Sequence, residues 1–231
     1  MAEQKTHRPT KENILSFQIE APYYTQGSLS DKTEEIWIIC HGYGQMARYF
    51  LRRFDVLDEE RHFLIAPQGL DRFYFDNFTK LGASWTTREL RDTHVSNQQA
   101  YLNSVYEAEL GHLDLSKYTL RIMGFSQGVS VITRWAVQRQ IPFDHMIMWA
   151  GGFPPNLTAE KWAFRKANST VTVLVGTDDP FLKKEKLEQE RELISSVFPD
   201  YEFILFEGGH QVMRSVIKDM LGLDEEADIS T

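Results

Sequence analysis

Ser126 lies in Gly124-Phe125-Ser126-Gln127-Gly128, directly after the mostly apolar run Leu120–Met123 and at the start of the helical pattern Val129–Gln138. Strand, sharp turn and helix is the order that holds a serine hydroxyl exposed at a sheet edge, ready to act as a nucleophile. Gly124 and Gly128 suit a crossing where strand and helix come too close for side chains. The backbone N–H of Gln127 falls at a helix N-terminus, where it can stabilise a developing oxyanion. The competing reading is a helix-capping serine between incidental glycines.

A serine nucleophile needs a general base, and that base needs an orienting carboxylate. With this type of turn the acid and then the histidine follow the serine along the chain. After Ser126 only His145 and His210 remain. His145 enters the apolar run His145–Ala150 and reads as a structural histidine. His210, in Glu207-Gly208-Gly209-His210, stands between a strand-like run and a helical pattern and reads as the base; a helix-capping histidine is the alternative. The acid is expected just beyond Val171–Val175, in Gly176-Thr177-Asp178-Asp179-Pro180. Spacing alone does not choose between Asp178 and Asp179. A second oxyanion donor is expected from Cys40-His41-Gly42-Tyr43-Gly44, after the run Ile36–Ile39. There His41 reads as a loop-shaping group and Cys40 as a small core residue.

Positioning these residues requires a sheet. Strand-like runs are expected at Ile14–Glu20, Glu35–Cys40, His62–Ala66, Tyr118–Gly124, His145–Ala150, Val171–Gly176 and Glu202–Phe206. The internal runs are apolar almost throughout, as strands buried on both faces are. Helical spacing links Met46, Tyr49, Phe50 and Leu57, then Leu102, Val105, Tyr106 and Leu110, then Ile132, Trp135 and Ala136. It returns at Leu187, Leu193, Ile194 and Val197 and again at Met213, Val216, Ile217 and Met220. Strands alternating with helices predict an α/β fold, with a mostly parallel central sheet and helices on both faces. Pro67–Asp92 and Gly151–Thr170 read as irregular, and the second is too short for a large cap. The whole chain, 1–231, reads as one domain, with 1–12 and 224–231 as flexible tails.

Composition narrows the functional classes. The formal net charge of −8 argues against nucleic acid or an anionic membrane as the main partner. One cysteine excludes an intrachain disulfide and fits a reducing, cytoplasmic setting. No run is apolar for the ~18 residues of a membrane helix, so no integral membrane association is expected. The seven histidines show no metal-site spacing, and neither a metal nor a cofactor is expected.

Together, HGYGQ, APQG, GFSQG, GTDDP and GGH resemble the phospholipase/carboxylesterase family of α/β-hydrolases, which includes acyl-protein thioesterases. The resemblance runs from about Glu35 to Leu221, and GFSQG is its most specific motif. It implies the α/β-hydrolase fold without a large cap domain, Ser126 as nucleophile and His210 as base. It also implies Asp179 as the acid, three residues after Gly176 and before Pro180. The implied oxyanion donors are the backbone N–H groups of Tyr43 and Gln127. This chain departs from the family at Gln45, where aspartate is usual, at Val129, where a small residue is usual, at Val175-Gly176 and Phe181-Leu182 around the acid, and at Trp85-Thr86-Thr87-Arg88. These departures fall on the acyl or leaving-group side.

Phe73 and Trp85, on the long aromatic loop, and Phe153, before a proline pair, are the candidate substrate-binding residues. The loop aromatics either wall an acyl pocket or pack the loop onto the body. Arg88 either binds an anion or pairs with a neighbouring acid. The expected function is hydrolysis of small-molecule carboxylic esters or acyl thioesters with short-to-medium acyl chains, through a Ser-His-Asp triad and an acyl-enzyme. A non-catalytic binding protein and a peptidase or lipase of the same fold are the alternatives, and a homodimer is allowed.

Overall fold

The computed structural model describes residues 10–181 and 183–223. A seven-stranded sheet runs in the order β1-β3-β2-β6-β7-β8-β9. Its strands are β1 (Tyr23–Gln26), β2 (Glu35–Cys40), β3 (His62–Pro67), β6 (Thr119–Phe125), β7 (His145–Trp149), β8 (Thr170–Gly176) and β9 (Glu202–Phe206). β1 is antiparallel to β3, and every other neighbouring pair is parallel. A separate antiparallel hairpin joins β4 (Asp71–Phe75) to β5 (Lys80–Ser84).

The described residues also form the α-helices α1 (Ala47–Phe50), α2 (Arg91–Leu110), α3 (Gln127–Arg139), α4 (Lys184–Val197) and α5 (Arg214–Leu221). Each strand of the centre is buried on both faces, so the core divides into two layers. One layer packs Ile36, Ile38 and Ile122 against Leu102, Trp135 and Ile194, from α2, α3 and α4. The other packs Trp37, Met123 and Trp149 against Phe50, Phe54 and Ile217, from the α1 region and α5. No helix among the described residues is long and apolar enough to cross a membrane.

Six of the seven expected strands form. Ile14–Glu20 does not: it has no regular structure and is exposed throughout, and the edge strand begins instead at Tyr23. Pro67–Asp92 is more regular than expected, because it contains the β4–β5 hairpin. Asp76, Asn77 and Phe78 turn that hairpin with positive φ. Asp and Asn tolerate this conformation and so favour such turns. Gly151–Thr170 contains one 3-10 turn, Ala159–Trp162, with Leu157 and Trp162 buried. Residues 10–12 are exposed and irregular; the rest of the expected tails lies outside the described residues.

One edge of the sheet carries a polar chain across five adjacent strands. Arg121 on β6 donates to both carboxylate oxygens of Glu35 on β2 (2.7 and 2.8 Å) and to His145 Nδ1 on β7 (2.6 Å). The arginine only donates, so His145 must carry its proton on Nε2, which donates to Thr172 Oγ1 on β8 (2.8 Å). Thr172 in turn donates to Glu202 on β9. Burial, aided by Arg121, pulls the His145 pKa down to about 4. His145 is thus a structural group at the strand starts, away from the strand ends that carry Ser126, Asp179 and His210.

A pH effect follows from His145 and from the buried His41, which burial likewise lowers to about 4. Both stay neutral in the fold, whereas in the unfolded chain histidine titrates near ~6.5. As pH falls below that value the unfolded state takes up protons that the folded state refuses, so stability drops until about pH 4. Between pH 7 and 5 each histidine should cost about 2 kcal/mol. Denaturant unfolding at the two pH values should show this loss, and His145→Gln should be less sensitive over the same interval.

Candidate active site

The sheet brings four loops to one edge. β2, β6, β8 and β9 run parallel, so the loops after Cys40, Phe125, Gly176 and Phe206 emerge together. From β2 the chain moves to one side of the sheet and from β6 to the other. The crevice between them is the switch point where α/β sheets collect ligands.

Ser126 occupies the turn between β6 and α3 with φ 53° and ψ −117°. A residue with a Cβ is strained there, by about 1–3 kcal/mol, and the surrounding packing holds it. Its N–H donates to Trp149 O on the neighbouring strand (2.9 Å). The helix crosses the strand ends so closely that a side-chain carbon on Gly128 would stand 2.2 Å from Cys40 O. On Gly124 it would stand 2.4 Å from Gly128 O. Both contacts are impossible, so both positions require glycine and the turn keeps its shape.

His210 Nε2 lies 2.9 Å from Ser126 Oγ, and His210 Nδ1 lies 2.7 Å from Asp179 Oδ2. A carboxylate only accepts, so the imidazole proton sits on Nδ1 and Nε2 is left to accept from the serine hydroxyl. Asp179 Oδ1 accepts from the Phe181 N–H (2.9 Å). Its carboxylate is fully shielded from solvent, whereas the His210 ring keeps 18% exposure. The two loops are laced together: Asp178 N–H donates to Gly208 O (2.9 Å) and Thr177 N–H to Phe206 O (2.9 Å). Asp178 contributes only backbone to this arrangement, and it is exposed. The rings of Phe125 and Phe181 flank the imidazole, 4.9 and 4.8 Å from it.

The loop after β2 lies against the serine: a side-chain carbon on Gly42 would stand 3.1 Å from Ser126 Cβ. Among the described residues, neither the Tyr43 N–H nor the Gln127 N–H has an intramolecular acceptor. His41 holds this loop. Its Nε2 accepts from Gly69 N–H (2.9 Å) and lies 3.1 Å from Gln68 Nε2, so Nδ1 carries the proton and donates to Gly42 O (2.7 Å). The depressed pKa keeps this tautomer in place at neutral pH. Gln45 Oε1 accepts the Gly42 N–H (2.8 Å), and Gly44 N–H donates to Ala83 O on β5 (2.8 Å). Cys40 is buried, which pushes its thiol pKa up and away from nucleophilic use.

The three expected substrate contacts separate. Phe73 is half-buried and stacks on exposed Tyr43, with ring centres 5.2 Å apart, so it borders the serine loop. Trp85 is wholly buried; its indole N–H donates to His41 O (2.8 Å), and it supports the loop from beneath. Phe153 is buried against Trp162 and Phe198. Neither of the last two presents surface to a bound molecule. Arg88 is exposed on the adjoining loop. Gln68 and the side chains of Gln45 and Gln127 were not singled out from the sequence for positioning. Gln127 fixes the Trp85–Thr86 segment, accepting from Trp85 N–H (2.9 Å) and donating to Thr86 O (2.8 Å). Polar residues inside otherwise apolar or glycine-rich motifs were the available signal.

A family model described as phospholipase/carboxylesterase matches residues 27–222. The chain belongs to the phospholipase/carboxylesterase family. No curated protein matches it closely by sequence. Among solved structures it is similar to acyl-protein thioesterase 2 of Zea mays, at 13% identity and a TM-score of 0.64, over 88% of this chain and 99% of that one. It is also similar to esterase PE8, at 17% identity and a TM-score of 0.67, over 88% and 99% of the two chains. A phospholipase/carboxylesterase from Dyadobacter fermentans aligns at 15% identity and a TM-score of 0.60, over 89% and 97%. The fold is therefore that of the α/β-hydrolases, and the described residues add no large cap to it. Family membership makes this a hydrolase of the phospholipase/carboxylesterase kind.

Proposed function

We propose that the protein is a serine hydrolase that cleaves carboxylic esters or acyl thioesters through Ser126, His210 and Asp179. The observation that carries this reading is the unbroken hydrogen-bonded chain from Asp179 through His210 to Ser126, in a strained turn at the sheet edge. His210 Nε2 takes the hydroxyl proton as Ser126 Oγ bonds to the carbonyl carbon, and Asp179 supports the imidazolium that forms. The N–H groups of Tyr43 and Gln127 receive the charge that develops on the carbonyl oxygen. Collapse of the tetrahedral adduct breaks the bond to the alcohol or thiol, which leaves with the proton from His210. Water, deprotonated by the same histidine, then attacks the acyl-enzyme, releasing the acid and restoring Ser126.

Phe73 and Tyr43 form an apolar wall beside the serine, and no cap covers it among the described residues. This supports small soluble substrates with short-to-medium acyl chains. The test is a series of p-nitrophenyl esters and matched thioesters of increasing acyl length. The expected result is kcat/KM highest at short or medium length and poor turnover of emulsified long-chain triglyceride. Faster turnover of the triglyceride would overturn the substrate reading, and no turnover of any ester or thioester would favour a binding role instead.

A further inference from the structure

The segment before the sheet has a strand pattern but, among the described residues, no strand partner. In Ile14-Leu15-Ser16-Phe17-Gln18-Ile19-Glu20 the alternation places Leu15, Phe17 and Ile19 on one face and Ser16, Gln18 and Glu20 on the other. Yet Ile14, Leu15, Phe17 and Ile19 are 63–82% exposed. The segment leads straight into β1, which pairs with β3 on one side and, among the described residues, has no partner strand on the other. No backbone–backbone hydrogen bond joins residues 10–22 to other described residues. An open sheet edge is a template for another strand.

The connection opposes closure within one chain. Folding Ile14–Glu20 back onto β1 would make Ala21-Pro22 the two-residue loop of a hairpin. Such loops need positive φ at their first central residue. Ala21 precedes a proline, which confines it to extended conformations. Neither residue has positive φ. The base of the segment is also anchored: Tyr101 donates to Pro22 O (2.7 Å), and Tyr23 donates to Glu109 (2.6 Å). A tight turn at Ala21-Pro22 that would return the segment to its own sheet edge is therefore disfavoured.

We propose that Ile14–Glu20 is an exchanged arm, which adds as a strand to the open edge of β1 in a second copy of the chain while receiving that copy's arm. A second copy is the occupant because each chain carries both the donor strand and the acceptor edge, so a two-fold pair satisfies both at once. Charge agrees. A hollow of about 310 Å³ beside β1 is bordered by Arg48, Arg52, Asp55 and Glu59. Arg214 engages Asp55 there, while Arg48 and Arg52 stack on Tyr49 and, among the described residues, pair with no carboxylate. With Asp55 taken by Arg214, two arginines face one remaining acid, Glu59, and that excess of one positive charge suits Glu20 of an incoming arm. Two arms bring eight large apolar side chains, enough to bury on the order of 1,000 Å², the lower bound for a stable interface.

Sedimentation velocity of the full chain at micromolar concentration should give twice the chain mass. Leu15→Ser, Phe17→Ser and Ile19→Ser combined should give a monomer with unchanged activity per chain. Ala21→Asn with Pro22→Gly installs a hairpin turn, and should give a monomer whose arm closes on its own β1. Hydrogen exchange should find the Ser16–Glu20 amides protected in the wild-type dimer and in the turn variant, and unprotected in the serine variant. A monomeric wild type, a serine variant that remains dimeric, or a dimer with freely exchanging arm amides would each overturn the proposal.

Discussion

Ser126→Ala is expected to lower kcat for ester hydrolysis by a factor of about 10⁴–10⁶, with the melting temperature close to wild type. The loss is large because no other group can take over the covalent step. Cys40 is buried, and the remaining oxyanion donors and binding contacts support only residual catalysis. Stability is spared because the serine side chain contributes one exposed-edge hydrogen bond and little packing. Alanine also keeps the Cβ, so the strain at φ 53° is unchanged. Steady-state kinetics and a thermal melt on the same preparation check both halves.

Asp179→Asn is expected to lower kcat by about 10⁴, whereas Asp178→Asn should leave it near wild type. The buried Asp179 carboxylate accepts from both His210 Nδ1 and the Phe181 N–H. An asparagine can turn its amide nitrogen toward His210, which favours the tautomer with the proton on Nε2. That tautomer cannot accept from Ser126, and the imidazolium loses its counter-charge. Asp178 holds the loop through its backbone N–H, which survives any side-chain change. If Asp178→Asn abolished turnover while Asp179→Asn did not, the two roles would have to be exchanged.

The sheet was legible wherever strands were buried on both faces. IWIIC, LRIMGF and VTVLVG leave few alternatives, because an apolar run of that length between glycines and charged residues has nowhere else to go. The serine turn was legible for a different reason: its glycines are demanded by contacts of 2.2 and 2.4 Å that no other residue could survive. The sequence also marked both His210 and the pair Asp178-Asp179. Spacing alone does not separate the pair, since the choice depends on how two loops lace across the sheet edge.

The hairpin at β4–β5 was missed because its aromatic run does not alternate; it is tied to the loop after β2, whose Gly44 N–H donates to Ala83 O. Ile14–Glu20 shows the opposite failure. Its alternation is strand-like, but a strand also needs an edge to bind, and Ala21-Pro22 does not make the two-residue turn that would bring the segment back to β1. Trp85 and Phe153 looked like loop aromatics available to a substrate. Their burial is a tertiary fact: the indole reaches His41 O beneath the loop, and Phe153 completes the cluster with Trp162 and Phe198.

The central claim is that Ser126 is an activated nucleophile, and covalent labelling tests it most directly. Wild-type protein treated with a fluorophosphonate should gain the mass of one adduct, and peptide mapping should place it on Ser126. His210→Ala, which removes the base, should label much more slowly while remaining folded. An adduct mapped to another residue, or a folded wild-type protein that resists labelling, would contradict the account.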